Sequence, residues 1–272
     1  MLFIGTSGIF GRFVPLEASV AVWWRSAVGV LAILAYLRFR GLSLRLRGRR
    51  QYGLAVIAGV LMTGHWITYF YALKLSSVAI GMISIFTFPA MTTLLEPVLL
   101  RKPFEGRHLL LALLVVLGVY FLLPEGGGQG NVVWGLVLGL TSAFIYSLRN
   151  ILMKTQVEDI NGTVLMAYQA GVAMVVVSPA LLFFPAWPSA QAWPYLLGLG
   201  IGTTAIGHTL FLRSFKYFSV SQASLLSCIQ PVYGVALAVI FFGEEVTGRI
   251  VIGGALVLAA VVVEAVSVMR KG

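Results

Sequence analysis

Two histidines lie in apolar stretches that resemble each other. His65 follows Gly64 in "GHWITYFYALKLSSV", and His208 follows Gly207 in "GHTLFLRSFKYFSV". A histidine side chain titrates near neutral pH, so each is a candidate to bind a polar ligand or to relay a proton. The alternative for each is a histidine that packs between helices and binds a neighbouring carbonyl group. Ionisable residues in long apolar segments are costly, and these two therefore indicate a polar interior.

Further candidates share the apolar surroundings of the two histidines. Gln230 and Glu96 each stand next to a proline, and the prolines Pro89 and Pro231 are predicted mid-helix hinges because each removes one backbone donor. The full set predicted to contact a ligand or line its pathway is His65, Tyr69, Phe88, Thr92, Glu96, Tyr146, Asn150, His208, Gln230 and Tyr233.

The charged candidates have competing interpretations. Glu96 either pairs with His208 or binds a cation, or it forms a salt bridge to Arg101 or Lys102. We expect Arg25 to be a structural arginine that snorkels or binds backbone carbonyls, with direct ligand contact as the alternative.

Two other arginines, Arg12 and Arg149, end short apolar stretches. They either attract an anionic group such as a carboxylate at opposite membrane faces, or anchor helices to lipid headgroups.

The composition predicts a protein of the lipid bilayer. The 272 residues are 59% hydrophobic and only 10% charged, and the mean hydropathy is +0.96, whereas soluble domains carry about 25% charged residues. The net charge of +10 lies mainly in short connectors, which argues against a nucleic-acid partner. The single cysteine, Cys228, excludes an internal disulfide, and no metal or cofactor is predicted.

The chain divides into apolar segments that are long enough to be membrane helices. They cover about 1–14, 18–37, 53–72, 76–100, 107–123, 131–153, 162–184, 192–212, 219–242 and 247–268. The first is shorter than the roughly 20 residues of a span, so we expect either a shortened first helix or a true start upstream. It lacks the basic start and cleavage site of a signal peptide.

The distribution of Lys and Arg predicts the orientation. When the basic connector 38–50 is placed in the cytoplasm, most of the 19 Lys and Arg fall on the cytoplasmic side. The chain is therefore predicted to be a multi-pass protein of the inner (plasma) membrane with both termini in the cytoplasm.

The two halves of the chain match at one constant offset. The matching pairs are Lys74 with Lys216, Ser77 with Ser219, Val78 with Val220, Pro89 with Pro231, and Gly106–Arg107 with Gly248–Arg249. We predict an all-α membrane protein with a five-helix repeat at 1–130 and a second at 131–272. Because five is an odd number, the second repeat must insert upside down. Inverted repeats around a central cavity are typical of alternating-access transporters.

Three stretches also resemble a known family. "FYALKLSSVAIGMISIFTFPAMTTLLEPVLL", "LRSFKYFSVSQASLLSCIQPVYGVALAVIFFGEE" and "WWRSAVGVLAI" are similar to EamA-type members of the drug/metabolite transporter superfamily. The resemblance implies ten helices in two inverted repeats and a cavity lined chiefly by helices 1, 3, 4, 6, 8 and 9. It also implies export of amino acids and other small metabolites. The chain departs from the family pattern at one point. The second half has the acidic turn "FFGEE" at Phe241–Glu245, whereas the equivalent stretch of the first half, Leu99–Pro103, is "LLRKP" and has no acidic residue.

The function predicted from these features is secondary transport rather than enzymatic catalysis. The expected partners are a small amphiphilic metabolite and the bilayer, with proton coupling through the histidines as an option. A membrane-embedded enzyme with a histidine as general base, or a channel, are the alternatives. The oligomeric state is left open, and a monomer is compatible with the sequence.

Overall fold

The fold is known from a computed structural model that describes residues 2–100, 107–123, 130–218, 220, 223, 227 and 229–269. These residues form helices joined by short connections, and no strand occurs among them. The sequence interpretations of Arg101, Lys102, Gly106, Ser219 and Cys228 lie outside the described residues, as do most of the turn at 124–130 and residues 270–272.

The helices follow the predicted apolar segments. In the first half they are α1 (Leu2–Gly5), α2 (Ser7–Phe13), α3 (Ala18–Phe39), α4 (Arg49–Leu75), α5 (Val78–Ile85), α6 (Phe88–Leu100) and α7 (Arg107–Leu122). In the second half they are α8 (Gly130–Lys154), α9 (Gly162–Val177), α10 (Ala180–Phe183), a 3-10 turn (Ala190–Ala192), α11 (Trp193–Leu197), a π-helical stretch (Gly198–His208), α12 (Thr209–Ser214), α13 (Ile229–Phe242) and α14 (Gly248–Met269).

Among the residues that the structure describes, six helical segments are long and apolar enough to cross a membrane. They are Ala18–Phe39, Arg49–Leu75, Val78–Leu99, Gly130–Lys154, Gly162–Phe183 and Ala190–Ser214, and three shorter apolar helices cover Leu110–Leu122, Gln230–Phe242 and Gly248–Val263. Helices satisfy their own backbone hydrogen bonds, which is what the hydrocarbon interior requires. The prediction of a multi-pass, all-helical membrane protein is confirmed, while the inverted arrangement of the two repeats stays a prediction.

The prolines predicted to lie mid-helix instead lie near helix starts. The fourth segment is interrupted by a turn at Phe86 and Thr87, and Pro89 is the second residue of α6. Pro231 is the third residue of α13. Proline is tolerated there because the first backbone N–H groups of a helix have no intrahelical acceptor. The interruption at Phe86–Thr87 therefore takes the place of the predicted kink.

Most of the packing joins the first half to the second. α4 packs against α8 and α9, α3 against α9 and the π-helical stretch, α5 against α13, and α7 against α14. Two glycines allow close approach: a Cβ on Gly139 would overlap the Ser84 hydroxyl, and one on Gly29 would lie 2.8 Å from Cγ2 of Thr204. Small residues at such contacts let helix backbones come together in a membrane protein.

Basic side chains cap equivalent helix ends in the two halves. Nη1 of Arg12 donates to the Leu73 carbonyl oxygen at 2.7 Å, and Nζ of Lys154 donates to the Phe215 carbonyl oxygen at 2.7 Å. The offset that pairs Lys74 with Lys216 also pairs the donors Arg12 and Lys154. It pairs the acceptors Leu73 and Phe215 as well. The same side-chain contact thus occurs once in each half.

The acidic turn of the second half binds the first half. Glu244 accepts hydrogen bonds from the backbone N–H groups of Val78 at 2.7 Å and Ala79 at 3.0 Å, at the N-terminus of α5. A carboxylate at a helix N-terminus is favourable because it meets free N–H groups and the positive end of the helix dipole. The structure thus gives a role to one acid of the "GEE" turn.

Candidate functional site

A small cavity of about 40 Å³ lies between the two halves. Its lining residues are Ile4, Gly5, Ser7, Arg25, His65, Trp66, Tyr69, Met82, Ile85, Phe86, Phe88, Tyr146, His208, Ser227 and Gln230. They come from the six helices that the family resemblance implies as the cavity lining. The one addition is Arg25, which lies on α3, the second predicted segment. The wall combines aromatic and aliphatic side chains with basic, amide and hydroxyl groups.

Six of the predicted residues lie on this wall, namely His65, Tyr69, Phe88, Tyr146, His208 and Gln230. The other predicted residues are placed elsewhere. The Thr92 hydroxyl donates to the carbonyl of Phe88 within its own helix at 2.7 Å. The Tyr233 hydroxyl donates to the Leu2 carbonyl at 2.9 Å. Glu96 is half-buried on α6. Asn150 is buried beside Arg149.

His65 is held in one orientation by α8. Its Nδ1 lies 2.8 Å from the hydroxyl oxygen of Ser142, and that hydroxyl donates its single hydrogen to the His65 carbonyl at 2.7 Å. Both contacts are satisfied when Nδ1 is the donor, and in that tautomer Nε2 of the neutral ring is an acceptor. The ring stacks on Tyr146, with the centroids 4.3 Å apart.

His208 is buried, as His65 is, but its contacts are different. Its Nδ1 is buried without a hydrogen-bond partner. Its ring centroid lies 5.7 Å from that of Trp66 and 6.3 Å from that of Tyr146. The described contacts of this ring are with aromatic side chains, and pairing with Glu96, one of the alternatives for that residue, is not among them. The two histidines share the cavity wall but are not equivalent in bonding.

Arg25 is fully buried and does not snorkel. Nε donates to the Thr204 hydroxyl at 2.8 Å, Nη1 to Ser7 at 3.2 Å, and Nη2 to Thr203 at 3.1 Å. Its guanidinium carbon lies 4.1 Å from the centroid of the Trp66 ring, which is within the range of a cation–π contact. We expected Arg25 to bind backbone carbonyl groups. Its acceptors are instead three hydroxyl groups, two of which belong to the second half.

Arg149 is also fully buried, which contradicts its predicted place at a membrane face. Nε donates to Oε1 of Gln169 at 2.7 Å and Nη1 to Oδ1 of Asn150 at 2.9 Å, whereas Nη2 has no partner. The helix continues to Lys154, so the residue equivalent to Arg12 at the helix end is Lys154. The guanidinium carbon lies 5.8 Å from the centroid of the Tyr146 ring.

The interior carries the positive charge of two arginines. Arg25 and Arg149 are buried, and no Asp or Glu is buried among the residues whose exposure is described. No group of three His, Cys, Asp or Glu in the described part of the chain is placed to hold a metal ion. The chemistry that this arrangement offers is hydrogen-bond donation and aromatic contact to a bound molecule.

Sequence reasoning missed the residues that position Arg25. Ser7, Thr203 and Thr204 supply its acceptors, and Met82 and Ser227 add to the cavity wall. One signal was present: a buried guanidinium needs acceptors, and the "TT" of "GTTAIGH" lies shortly before His208. The distance in sequence between Arg25 and these threonines hid the contact.

Comparison with known proteins gives full-length similarity to transporters. The chain is 27% identical over 261 residues to an uncharacterized transporter of Archaeoglobus fulgidus, covering 96% of this chain and 91% of that protein. It is 24% identical over 258 residues to the pseudopaline exporter CntI of Pseudomonas aeruginosa, covering 94% and 88%. Protein RarD of Streptomyces exfoliatus is 26% identical over 267 residues, covering 92% and 78%.

The fold is also similar to a solved structure. A protein crystal structure matches with a TM-score of 0.74 at 21% identity, covering 97% of this chain and 94% of that one. The model of the EamA-like transporter family matches residues 1–123 and again residues 133–264. The relatives and the family point to a transporter rather than an enzyme. The chain belongs to the EamA-like transporter family.

Proposed function

We propose that this protein is a secondary transporter that moves a small metabolite, an amino acid or a related amphiphile, across the inner membrane by alternating access. The observation that carries the proposal is the cavity, because residues of both halves line it and its wall combines aromatic faces with polar groups. A site between two repeats near the middle of the bilayer is where alternating-access transporters bind their substrates.

The proposed inverted repeat is supported by the two family matches and by helix pairing. The ranges 1–123 and 133–264 correspond to the predicted repeats 1–130 and 131–272. The contact of α4 with α8 has a counterpart in the contact of the π-helical stretch with α1. The capping of Leu73 by Arg12 has a counterpart in the capping of Phe215 by Lys154. A twofold relation between oppositely inserted halves would produce such counterparts.

Each cavity residue has a proposed role. Gln230 offers both a donor and an acceptor to the substrate, and Tyr69, Phe88 and Tyr146 contact its apolar part. Nε2 of His65 is an acceptor that can take a proton, which makes it the proposed coupling group if transport uses a proton gradient.

Opening and closing are proposed to use the interruption of the fourth segment. The turn at Phe86–Thr87, next to Pro89, divides α5 from α6. Both α5 and α6 pack against α8, and α5 is in addition bound at its N-terminus by Glu244. With the 38–50 connector in the cytoplasm, the Glu244 contact lies at the outer end, and its release would open the cavity outward. Export is the proposed direction, in line with the name of the CntI relative.

Flux through proteoliposomes tests this function. We expect the purified chain to give saturable uptake of at least one amino acid or related amphiphile, and His65→Ala and Gln230→Ala to lower it at least tenfold while inserting normally. Gln191→Ala is the control, since Gln191 is exposed and outside the cavity. Normal flux in both cavity variants would remove these side chains from the pathway, and lack of flux for every metabolite would contradict a transporter.

A further inference from the structure

Several buried polar atoms at or near the cavity have no hydrogen-bond partner, and three of them are donors. Trp66 lines the cavity, and its Nε1 is buried without a partner. Beyond Tyr146, Nη2 of Arg149 and Nδ2 of Asn150 are also buried without partners. All three groups are donors only. Buried polar groups are normally paired, so unpaired donors grouped at one site indicate a missing acceptor.

The same region contains permanent positive charge without a counter-charge. An arginine side chain does not lose its proton in proteins. In the part of the chain that the structure describes, the partners of the Arg25 and Arg149 guanidinium groups are hydroxyls, amides and aromatic rings, and none is a carboxylate. Burying an unpaired charge is costly. The surplus charge favours an anion in the cavity.

Arg25 is the guanidinium that a ligand in the cavity reaches first. It lies on the wall, and three hydroxyls and the Trp66 ring fix its plane. A guanidinium has five N–H groups, so three hydrogen bonds leave two for a ligand. A planar guanidinium held in place is suited to two parallel hydrogen bonds with a carboxylate or phosphate. The Trp66 ring lies beside this guanidinium, and its Nε1 is a further donor without a partner.

We propose that the transported molecule is an organic oxyanion, a carboxylate or phosphate, whose charged group binds Arg25 and the Trp66 indole N–H. This inference rests on the transporter function proposed above and specifies its substrate class. Arg149 is not a lining residue; it lies 5.8 Å from the centroid of the Tyr146 ring and adds positive potential without direct contact. The aromatic wall takes the apolar part of the molecule.

A thermal unfolding assay on the purified full chain tests the charge preference without requiring transport. The probes are matched pairs: N-acetylphenylalanine and its amide, succinate and succinamide, phenyl phosphate and phenol, with phenylalaninamide as a cation. We expect at least one oxyanion to raise the Tm and its uncharged partner to have no effect. Equal shifts within every pair, a shift with the cation alone, or no shift with any oxyanion would overturn the inference.

Variants assign the effect to Arg25. Arg25→Gln keeps a side-chain donor but removes the charge, and we expect it to weaken binding of the selected oxyanion at least about tenfold, the loss of one charge-assisted interaction. Arg149→Gln should weaken it about threefold, and it serves as the second variant if Arg25→Gln does not fold. Arg38→Gln is the control, because Arg38 lies on the same helix and is exposed. Unchanged affinity in both buried variants would overturn the inference.

The remaining outcomes separate this inference from the transporter function. Stabilisation by phosphatidylglycerol, with no response to soluble oxyanions, would assign Arg25 to a lipid headgroup and overturn the inference. Saturable flux of neutral or cationic molecules, with no preference for oxyanions, would also overturn it and would leave the transporter function standing. Lack of flux for every probe would contradict the transporter function instead.

Discussion

Arg25 and Arg149 are the same residue type at the same burial, and they are held differently. Every nitrogen of the Arg25 guanidinium donates to a hydroxyl, and the group lies over Trp66. Arg149 leaves Nη2 unpaired and lies farther from Tyr146. In both cases neutral side chains position the cation and do not neutralise it. The comparison teaches that orientation and charge compensation are separate properties of a buried arginine.

The two arginines also differ in which parts of the chain they connect. Arg25 binds Ser7 of the first half and Thr203 and Thr204 of the second. Arg149 binds Gln169 and Asn150, which both belong to the second half. Relative motion of the halves would therefore strain the bonds of Arg25 and leave those of Arg149 intact.

The largest difference between the two sites is expected in stability. We expect Arg25→Ala to lower the free energy of unfolding by about 3 kcal/mol, since it removes several hydrogen bonds to a charged group. Arg149→Ala should lower it by roughly half as much, because it loses fewer hydrogen bonds and also removes an unpaired donor. Unfolding followed in lipid or detergent measures both. A larger loss for Arg149→Ala would reverse the comparison.

A steric change should act on the Arg25 site alone. A Cβ on Gly29 would lie 2.8 Å from Cγ2 of Thr204 and 3.3 Å from the Gly200 carbonyl oxygen. Gly29→Val should displace Thr204 from Arg25 and lower the free energy of unfolding by about 1–3 kcal/mol through overpacking. Binding of the selected oxyanion should weaken in parallel. Full stability together with unchanged binding would show that the position of Thr204 does not control Arg25.

A charge added beside Arg149 tests whether its cation is uncompensated. Asn150→Asp keeps the acceptor for Nη1 of Arg149 and replaces the unpaired amide nitrogen with a carboxylate oxygen. We expect a gain of about 1–2 kcal/mol, seen as a higher Tm. Asn161→Asp is the matched control, since Asn161 caps α9 and Asp caps equally well. A lower Tm for Asn150→Asp would indicate that the charge of Arg149 is already balanced.

The smallest expected effect is on the pH dependence of stability. It concerns Glu17, which precedes α3, the helix that carries Arg25. Burial alone would raise the pKa of Glu17, but hydrogen bonds from Ser19 and Tyr71 outweigh it and lower the pKa below its ordinary value of 4.5. A lowered pKa contributes stability that is present above pH 4.5 and is lost as the pH falls through the lowered value. We expect Glu17→Gln to reduce this acid dependence in thermal unfolding. An identical pH profile would remove Glu17 from the stability of α3.

Much of the fold could be predicted because the bilayer imposes simple rules on sequence. Long apolar segments must be helices, and the predicted 18–37 and 131–153 are the helices Ala18–Phe39 and Gly130–Lys154. The turn at Phe86–Thr87 could not be predicted, because the segment 76–100 is apolar throughout and Pro89 marks only the neighbourhood of the break.

The site was less predictable than the fold. Aromatic and histidine candidates were found because polar atoms in apolar helices are rare, and His65, Tyr146 and Gln230 do line the cavity. The depth of Arg149 was misjudged, because an arginine near a helix end resembles a headgroup anchor until Gln169 of α9 is seen beside it. Partners that lie far apart in sequence, such as Arg25 and Thr204, depend on tertiary packing and leave no local signal.

Counterflow tests most directly whether one cavity alternates between the two sides of the membrane. Proteoliposomes would be loaded with an unlabelled substrate, the oxyanion selected in the binding assay, and diluted into a trace of the labelled form. Alternating access predicts that internal substrate accelerates uptake and that label transiently rises above its equilibrium level. A monotonic approach to equilibrium, at a rate independent of the internal substrate, would contradict a carrier and indicate an open pore.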